Sequence, residues 1–441
     1  MTQAPAAANA AINPADFVSV IDNAYFPLQP GTSYITESPD GSTVGTFTVT
    51  RQTRVIDGVT CVVISDISTV DGELSEKTSD FFAQDKNGNV WYFGEETAEY
   101  ENGQVVSTEG SWLAGVDGAA PGIVMEAAPK LGDSYDQENA PGVAEDHAAV
   151  IGVNQPVSTP YAEFGQALVT NETTPLDASS VEHKFYVKGI GFVQALDQVT
   201  GEVEQLVKIK LDGTSHADTI NGNIGTDELN GHSGNDRLDG AGGSDVVSGG
   251  SGNDVLDGGQ DQLADVLRGG TGDDRIAVRT ADRAVGDAGN DLFNLFDNTH
   301  FGLIDGGAQS NGDLAHSKGD TLKFHGALDL TAPGISDHIA GIETLSMKGG
   351  HGHDSLTLNA ADVLDLGAGH FDPQLCGKDT LGTGDAIRVD GNCGDQLNLT
   401  GGHWREVQAS NAPNGYDVFT THSGNGDLYV LVQDAVTVHT S

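Results

Sequence analysis

The middle of the chain repeats one nine-residue frame: Gly-His-Ser-Gly-Asn-Asp-Arg-Leu-Asp at 231–239, Gly-Gly-Ser-Gly-Asn-Asp-Val-Leu-Asp at 249–257 and Gly-Gly-Thr-Gly-Asp-Asp-Arg-Ile-Ala at 269–277. Glycines precede an aspartate, and an apolar residue stands two places after it. The aspartates return every nine residues, with a two-residue slip before the sixth, and they are Asp218, Asp227, Asp236, Asp245, Asp254, Asp265, Asp274 and, in a last in-frame copy, Asp291. A period this strict predicts a structural unit that stacks on itself.

The residue types in the frame suit a calcium ion. Glycine adopts the positive φ angles of tight turns and leaves room for backbone carbonyls to converge. Calcium takes about 6–8 oxygen ligands, which carboxylates and carbonyls can supply together. The candidate metal-binding residues are therefore the eight aspartates and the glycines of the same turns, namely Gly231, Gly234, Gly240, Gly249, Gly252, Gly258, Gly269 and Gly272.

Each unit also contains a short strand with one apolar residue at a constant position. Side chains alternate between the two faces of a strand, so this residue points inward and its neighbours point outward. The inward residues are Ile220, Leu229, Leu238, Val247, Leu256, Leu267, Ile276 and Phe293. Two units make one flattened turn, which stacks aspartates 18 residues apart at roughly the 4.7–4.9 Å spacing of neighbouring strands. Because like charges this close repel, we expect the repeat to need divalent cations in order to fold.

The frame resembles the RTX (repeats-in-toxin) family over about 213–298. That resemblance implies a parallel β-roll and calcium as the bound ion. It also implies export from Gram-negative bacteria in one step, by a type I secretion system that reads the C-terminal end. A Gly/Asp-rich flexible linker is the alternative, but a linker does not explain the apolar residue that accompanies each aspartate.

Several units depart from the frame. The first unit has His216 where a glycine is expected, and the unit at 258 carries two extra residues. The frame is lost at 278–285, so we expect calcium sites to be weak or absent around Arg279 and Arg283. A separate copy, Gly-Gly-His-Gly-His-Asp-Ser-Leu-Thr at 349–357, stands alone and is expected to form a half-site at best.

Composition narrows the classes of function. The 441 residues include 65 acidic and 20 basic ones, a formal net charge of -45, and the length allows two or three domains. This acidity argues against nucleic acid, which needs a basic patch, and against anionic membrane surfaces. No apolar run approaches the length of a transmembrane helix. The segment 1–29 has neither basic residues nor a hydrophobic core, so we expect no secretory signal in it.

The stretch 30–211 predicts an antiparallel β domain. Strand-like runs at 46–56, 59–70, 73–84 and 90–100 are separated by turn signals such as Asp-Gly and Asn-Gly. Since sheet edges must be covered, we expect a closed or nearly closed β-barrel, or a strongly curved sheet. The blocks at 80–95 and 110–118 resemble an uncharacterised β-rich domain of many secreted bacterial proteins, a resemblance that implies no activity.

Two kinds of residue in this domain could have a function. The first are the carboxylates and one histidine in and beside the irregular segment 113–148, which could act on a sugar or hold a metal: Asp117, Glu126, Glu145, Asp146, His147, Glu95, Glu96 and Glu99. Chance clustering in so acidic a chain is the alternative.

The second kind are aromatic residues, of which Trp91 and Phe93 share one face of the strand and Tyr92 takes the other. The Trp91 and Phe93 face could line a sugar- or lipid-binding barrel, although we favour a core role.

The segment 301–441 predicts a β-rich C-terminal cap with the export signal, because the last turn of a stacked repeat needs an end cap. Its histidines, His351, His353, His370 and His403, match no common zinc spacing. Cys376 and Cys393 could close a loop by a disulfide in an oxidising environment or remain free thiols, while Cys61 is expected to be a buried small hydrophobe.

Together these features predict an all-β chain: a leader segment 1–29, an antiparallel barrel or curved sheet 30–211, a calcium-binding β-roll 212–300 and a cap 301–441. We expect a secreted protein that folds on calcium outside the cell and presents its N-terminal domain for extracellular binding, for example to a glycan or cell-surface component. The alternatives are a secreted hydrolase or lyase acting on polysaccharide through the N-terminal carboxylates, or a carrier of a small apolar ligand.

Overall fold

The structure, a computed structural model, describes residues 12–309, 314, 319–350, 352–366, 369–371, 384–424 and 426–441. These residues belong to two compact units, Met1–Leu211 and Asp212–Ser441. The described parts consist mainly of strands, together with the α-helix Ala360–Leu366 and the 3-10 helices Pro14–Asp16 and Ser336–His338. The predicted all-β class is confirmed. Among the described residues, no helix has the length and apolar character needed to cross a membrane.

In the first unit an antiparallel sheet closes into a barrel. Two-residue turns such as Asp57-Gly58 have positive φ at both residues, 46° and 79°, the backbone that joins twisted strands most directly. The last strand, Val203–Asp212, pairs back onto Thr32–Glu37, which completes the ring. The strands of this unit are Phe17–Val18, Ile21–Asn23, Phe26–Leu28, Thr32–Glu37, Thr43–Ile56, Val59–Val70, Glu73–Asp85, Val90–Glu101, Gln104–Ser107, Trp112–Leu113, Ala120–Met125, Ser134–Asp136, Glu138–Asn139, His147–Ser158, Glu163–Thr173, Val181–Val187, Gly191–Asp197 and Val203–Asp212. Ile21–Asn23 and Phe26–Leu28 pair with each other in a separate two-stranded sheet.

Trp91 and Phe93 lie on one face of their strand and Tyr92 on the other, as predicted. The face that lines the barrel cavity, however, is that of Tyr92. Phe93 is fully buried and packs edge-on against Phe17, with ring centroids 5.4 Å apart. Tyr92 instead stacks on Phe82 at 4.6 Å and faces an interior cavity. The Trp91 and Phe93 face therefore belongs to the core, and the suggestion that it lines the barrel cavity is wrong. Cys61 is buried, as expected.

The second unit contains parallel sheets whose strands pair at intervals of 17 to 20 residues through the repeats. In one sheet Leu238 pairs with Leu256 and then Ile276; in the other Val247 pairs with Leu267. The first sheet contains Thr219–Asn221, Arg237–Asp239, Val255–Asp257, Arg275–Val278, Leu292–Leu295, Thr321–Lys323, Thr344–Ser346, Gly384–Asp390 and Gly426–Gln433. The second contains Asp227–Asn230, Val246–Ser251, Val266–Thr271, Arg283–Gly289, Leu303–Asp305, Ala308–Gln309 and Ile339–Ala340. The predicted inward residues are all buried, at 6% exposure or less.

The strand Arg283–Gly289 continues the second sheet through the stretch where the sequence frame is lost. Its residue Ala284 pairs with Leu267 and is fully buried, so a small side chain takes the inward position. Parallel pairing also runs on beyond residue 300, and a third sheet contains Ala327–Asp329, Ser355–Asn359, Gln396–Thr400 and Thr437–Thr440. Gly369–Phe371, Tyr416–Ser423 and Arg405–Val407 add antiparallel strands near the end of the first sheet.

Candidate metal centre

A column of carboxylates runs along one edge of the second unit, where strands of the first sheet begin. Each member after the first accepts a hydrogen bond from the backbone N–H of the member before it, at 2.6–2.8 Å. The column consists of Asp218, Asp236, Asp254, Asp274, Asp291, Asp320 and Glu343. Five of these are predicted site residues, so the expected stacking of aspartates 18 residues apart is present.

A second column lies where strands of the second sheet begin. Asp245 accepts from the N–H of Asp227 at 2.8 Å, Asp265 from Asp245 at 2.9 Å, and Asp282 from Asp265 at 3.2 Å. The sequence reasoning missed Asp282, and it also missed Asp320 and Glu343 in the first column. A signal was available, because each of these three is followed two places later by Ala284, Leu322 or Leu345.

One oxygen of each carboxylate holds the stack, and the other is frequently left without a partner. The Oδ2 atoms of Asp236, Asp245, Asp254, Asp274 and Asp291 are buried and accept no hydrogen bond. A buried, unpaired carboxylate oxygen carries a large desolvation cost unless a cation or a proton compensates it. These five atoms therefore fit a bound cation.

The turn glycines leave room at the same points. A Cβ atom placed on Gly231, Gly240, Gly249, Gly258 or Gly269 would overlap Oδ2 of the aspartate in its own turn. At Gly249 the carbonyl oxygen of Gly269, in the following turn, lies within 2.7 Å of that Cβ position. Gly234, Gly252 and Gly272 have φ of 132°, 127° and 120°, and their Cβ atoms would overlap the backbone of an earlier turn. Carboxylate and carbonyl oxygens thus gather around space that only glycine leaves open.

A family model described as the RTX calcium-binding nonapeptide repeat (4 copies) matches residues 212–247, 233–262 and 261–277. The middle of the chain is an RTX repeat region. No curated protein matches the chain. A crystal structure described as that of "a putative lipoprotein from Parabacteroides distasonis" is 12% identical over 43% of this chain and 99% of its own, with a TM-score of 0.25. A similarity this low carries no argument.

Burial raises the pKa of several RTX aspartates. The pKa of Asp245 rises to about 8, that of Asp265 and Asp274 to about 7 and that of Asp291 to about 6. Desolvation is the main cause in each, and the charges of neighbouring aspartates add to it, while the backbone hydrogen bond opposes it. A carboxylate column with no cation beside it would therefore hold protons near neutral pH.

Backbone carbonyls would have to supply most of the ligands in these turns. Within the residues that the structure describes, no group of three or more His, Cys, Asp or Glu side chains is placed to hold a metal ion. An RTX turn therefore offers one or two carboxylates together with carbonyl oxygens, and calcium accepts such a ligand set.

The irregular RTX unit around Arg279 differs in its polar contacts. Oδ2 of Asp282 accepts a hydrogen bond from the N–H of Arg279 at 2.7 Å, so this oxygen is already paired. The Arg279 guanidinium forms two hydrogen bonds with Asp257, at 3.0 and 2.9 Å, and lies over the ring of Phe296. A fixed positive charge thus lies where the frame is lost, and a weak or absent calcium site there stays a prediction.

The separate copy at 349–357 is not isolated in the folded chain. The N–H of Asp354 donates to Oδ1 of Asp395 at 3.1 Å, and Oδ1 of Asp354 accepts from Gly326 at 2.6 Å. These residues precede strands of the third sheet, so the copy forms a short column of its own. His351, His370 and Cys376 lie outside the side chains that the structure describes, and Cys393 is an exposed free thiol.

The structure scatters most of the N-terminal residues named for catalysis. Nδ1 of His147 lies 2.8 Å from Asp136 on an exposed surface. Glu96 forms an ion pair with Arg54 at 2.8 Å, and Glu145 accepts from the N–H of Gly142 at 2.7 Å. Asp117, Glu126 and Glu99 line no described cavity.

Only two of the named carboxylates lie toward the interior of the barrel. Asp146 lines its cavity. Oε2 of Glu95 accepts from the hydroxyl of Tyr92 at 3.2 Å, and Tyr92 lines the cavity too. A catalytic group made of the eight predicted residues is therefore not assembled by the fold.

Proposed function

We propose that the RTX region of this chain binds calcium ions in its turns and that calcium completes its folding. The observation that carries the proposal is the set of five buried, unpartnered Oδ2 atoms in Asp236, Asp245, Asp254, Asp274 and Asp291. These aspartates, with carbonyl oxygens of the glycine turns, would hold the ions. Calcium would supply the positive charge that the two carboxylate columns lack.

The proposed location of the protein rests on where calcium is available and on the net charge of the chain. Extracellular calcium modules have dissociation constants of about 10⁻⁴–10⁻³ M, so a chain of this kind stays unfolded where calcium is scarce. Its net charge of -45 adds self-repulsion that opposes a compact state without counterions. We therefore propose a secreted protein that folds outside the cell and presents its barrel for extracellular binding to a glycan or cell-surface component. The barrel was predicted at 30–211, and its unit also includes strands from Phe17 onward. The calcium-binding roll would occupy 212–300, and the cap 301–441 would continue its parallel sheets.

Circular dichroism of the full chain during calcium titration tests the proposal. Calcium should induce β structure in chelator-treated wild type, and the double substitution Asp236→Asn with Asp254→Asn should shift the midpoint to higher calcium by about 10-fold or more. Asp273→Asn is the matched control, because Asp273 adjoins the column and is exposed. An identical titration of the wild type and the double variant would refute calcium binding at these aspartates.

Export is a separate part of the proposal. We propose that type I secretion machinery reads the C-terminal end of the cap. Deletion of the last few dozen residues should retain the protein inside a producing cell that carries such machinery. Deletion of residues 1–11 is the control and should leave export unchanged. Undiminished export of the C-terminally deleted chain would refute this route without affecting the calcium proposal.

A further inference from the structure

The interior of the N-terminal barrel contains a cavity of about 360 Å³. That volume suits a small molecule, since ligand pockets usually measure about 300–1,000 Å³. The cavity opens to solvent beside Lys184 and Glu182, whose side chains are 32% and 37% exposed. The lining divides into an aromatic part and an acidic part.

Aromatic rings form a connected wall. Phe82 stacks on Tyr92 at 4.6 Å between ring centroids, and Phe26 meets Phe82 edge-on at 5.4 Å. Tyr186 lies 6.4 Å from Phe26 and 6.0 Å from Phe192, which extends the wall around the cavity. The faces of such rings carry partial negative charge and attract weakly hydrated cations within about 6 Å.

The cavity lining contains more acidic than basic side chains. Seven carboxylates line the cavity together with one lysine, and they are Asp66, Asp80, Glu138, Asp146, Glu172, Glu182 and Glu204. Lys184 pairs with Glu172 at 3.0 Å and with Glu182 at 3.3 Å. For the other five, the part of the chain that the structure describes offers no ion-pair partner. The cavity lining therefore holds more carboxylates than cationic partners.

Asp80 is a cavity carboxylate with one oxygen that lacks a partner. Asp80 is 7% exposed, and its Oδ1 accepts a hydrogen bond from the Tyr92 hydroxyl at 2.6 Å. Oδ2 is buried and accepts none. Burial raises the pKa of Asp80 to about 6, and that of Asp66 and Glu138 to about 7, with nearby carboxylates contributing. A cationic ligand would satisfy Oδ2 and favour the ionised forms.

We propose that this cavity binds a small organic cation, an ammonium group joined to an apolar body, with Asp80 and its neighbouring carboxylates holding the charge and Phe82 and Tyr92 contacting the body. The acidic lining distinguishes this ligand from the purely apolar one that the sequence suggested. A metal ion fits less well, because no group of three carboxylates among the described residues is placed around one point.

Isothermal titration calorimetry on the full chain in saturating calcium tests the proposal. The probes are 2-phenylethylammonium, its uncharged analogue 2-phenylethanol, and the anion phenylacetate. The ammonium should bind at least about 10-fold more tightly than the alcohol, and phenylacetate should not bind. Asp80→Asn should weaken ammonium binding about 10-fold without changing binding of the alcohol. Glu101→Gln, on the exposed end of the Tyr92 strand, is the matched control and should change neither.

The affinities of the three probes for the wild-type protein test the proposal even if Asp80→Asn fails to fold. Equal affinity for the ammonium and the alcohol would overturn the proposal in favour of an apolar pocket. Displacement of the ammonium by calcium, added beyond the amount that saturates the roll, would overturn it in favour of a metal site. The absence of ammonium binding at millimolar concentration would also overturn it. None of these results bears on calcium binding by the RTX turns.

Discussion

The backbone N–H of Asp236 donates to Oδ1 of Asp254, eighteen residues later, at 2.8 Å. Oδ2 of the same Asp254 is buried and unpaired. One carboxylate thus joins two successive turns through one oxygen and leaves the other at the space that the glycines leave open. The stacking of like charges is partly offset by these N–H donors, and the remaining repulsion and desolvation are what a cation would relieve.

Gly249→Ala should destabilise the roll and weaken calcium binding. The new Cβ would overlap Oδ2 of Asp254, and such overpacking typically costs about 1–3 kcal/mol. Gly242→Ala is the control, because the nearest atom to its Cβ is 3.5 Å away. Urea unfolding of both variants in saturating calcium, followed by circular dichroism, measures the difference. Equal stability of the two variants would contradict the crowding at Gly249.

Two aspartates of the second column should differ in their effect on bound calcium. Oδ2 of Asp245 has no partner, whereas Oδ2 of Asp282 accepts from Arg279 at 2.7 Å. Asp245→Asn should therefore reduce the number of calcium ions that native mass spectrometry detects, and Asp282→Asn should leave that number unchanged. A larger loss for Asp282→Asn would show that the irregular unit holds an ion after all.

Arg279→Met should lower the stability of the roll. The substitution leaves Asp257 without its two hydrogen bonds and removes the cation from the Phe296 ring, and we expect a loss of about 1–3 kcal/mol. Arg275→Met, at the exposed start of the strand Arg275–Val278 that precedes Arg279, provides the control. Denaturant unfolding in calcium should separate the two variants, and a neutral Arg279→Met would show that the ion pair adds no net stability.

Barrel stability should fall as the pH rises from about 4 to about 8. Burial raises the pKa of Asp80 to about 6, those of Asp66 and Glu138 to about 7 and that of Glu95 to about 8, from ordinary values of 3.8 and 4.5. The folded barrel then binds more protons than the unfolded chain, so this stabilisation is complete below about pH 4 and is lost above those pKa values.

Hydrogen exchange of the strand Val90–Glu101 in saturating calcium measures this effect in the full chain, after correction for the intrinsic exchange rate. Protection should decrease between about pH 4 and 8, and Asp80→Asn should flatten the part of the decrease that lies below about pH 6. Protection that stays constant or rises would contradict the raised pKa values. Ammonium binding should show the opposite trend and strengthen over the same range.

Local rules predicted much of the fold. Asp57-Gly58 forms the expected turn because both residues tolerate positive φ. Leu238 and Leu256 pair in register because each is the inward residue of a short strand that recurs at a fixed interval. The same interval predicted the stacking of Asp236 on Asp254. Asp320 and Glu343 escaped prediction because they follow irregular insertions, where the period gives no position. Asp282 lies nine residues before Asp291 and was missed because the glycines of the frame are absent before it.

The amino-acid sequence by itself determined the RTX roll, because period, turn residues and inward apolar residues all act within a few residues of one another. Only the tertiary structure decided the character of the barrel cavity. Asp80, Glu138 and Lys184 come from separate strands and converge by long-range pairing, and a register shift between Asp80 and Phe82 interrupts simple alternation in that strand. Which side chains face inward, and with what net charge, depends on closure of the whole ring.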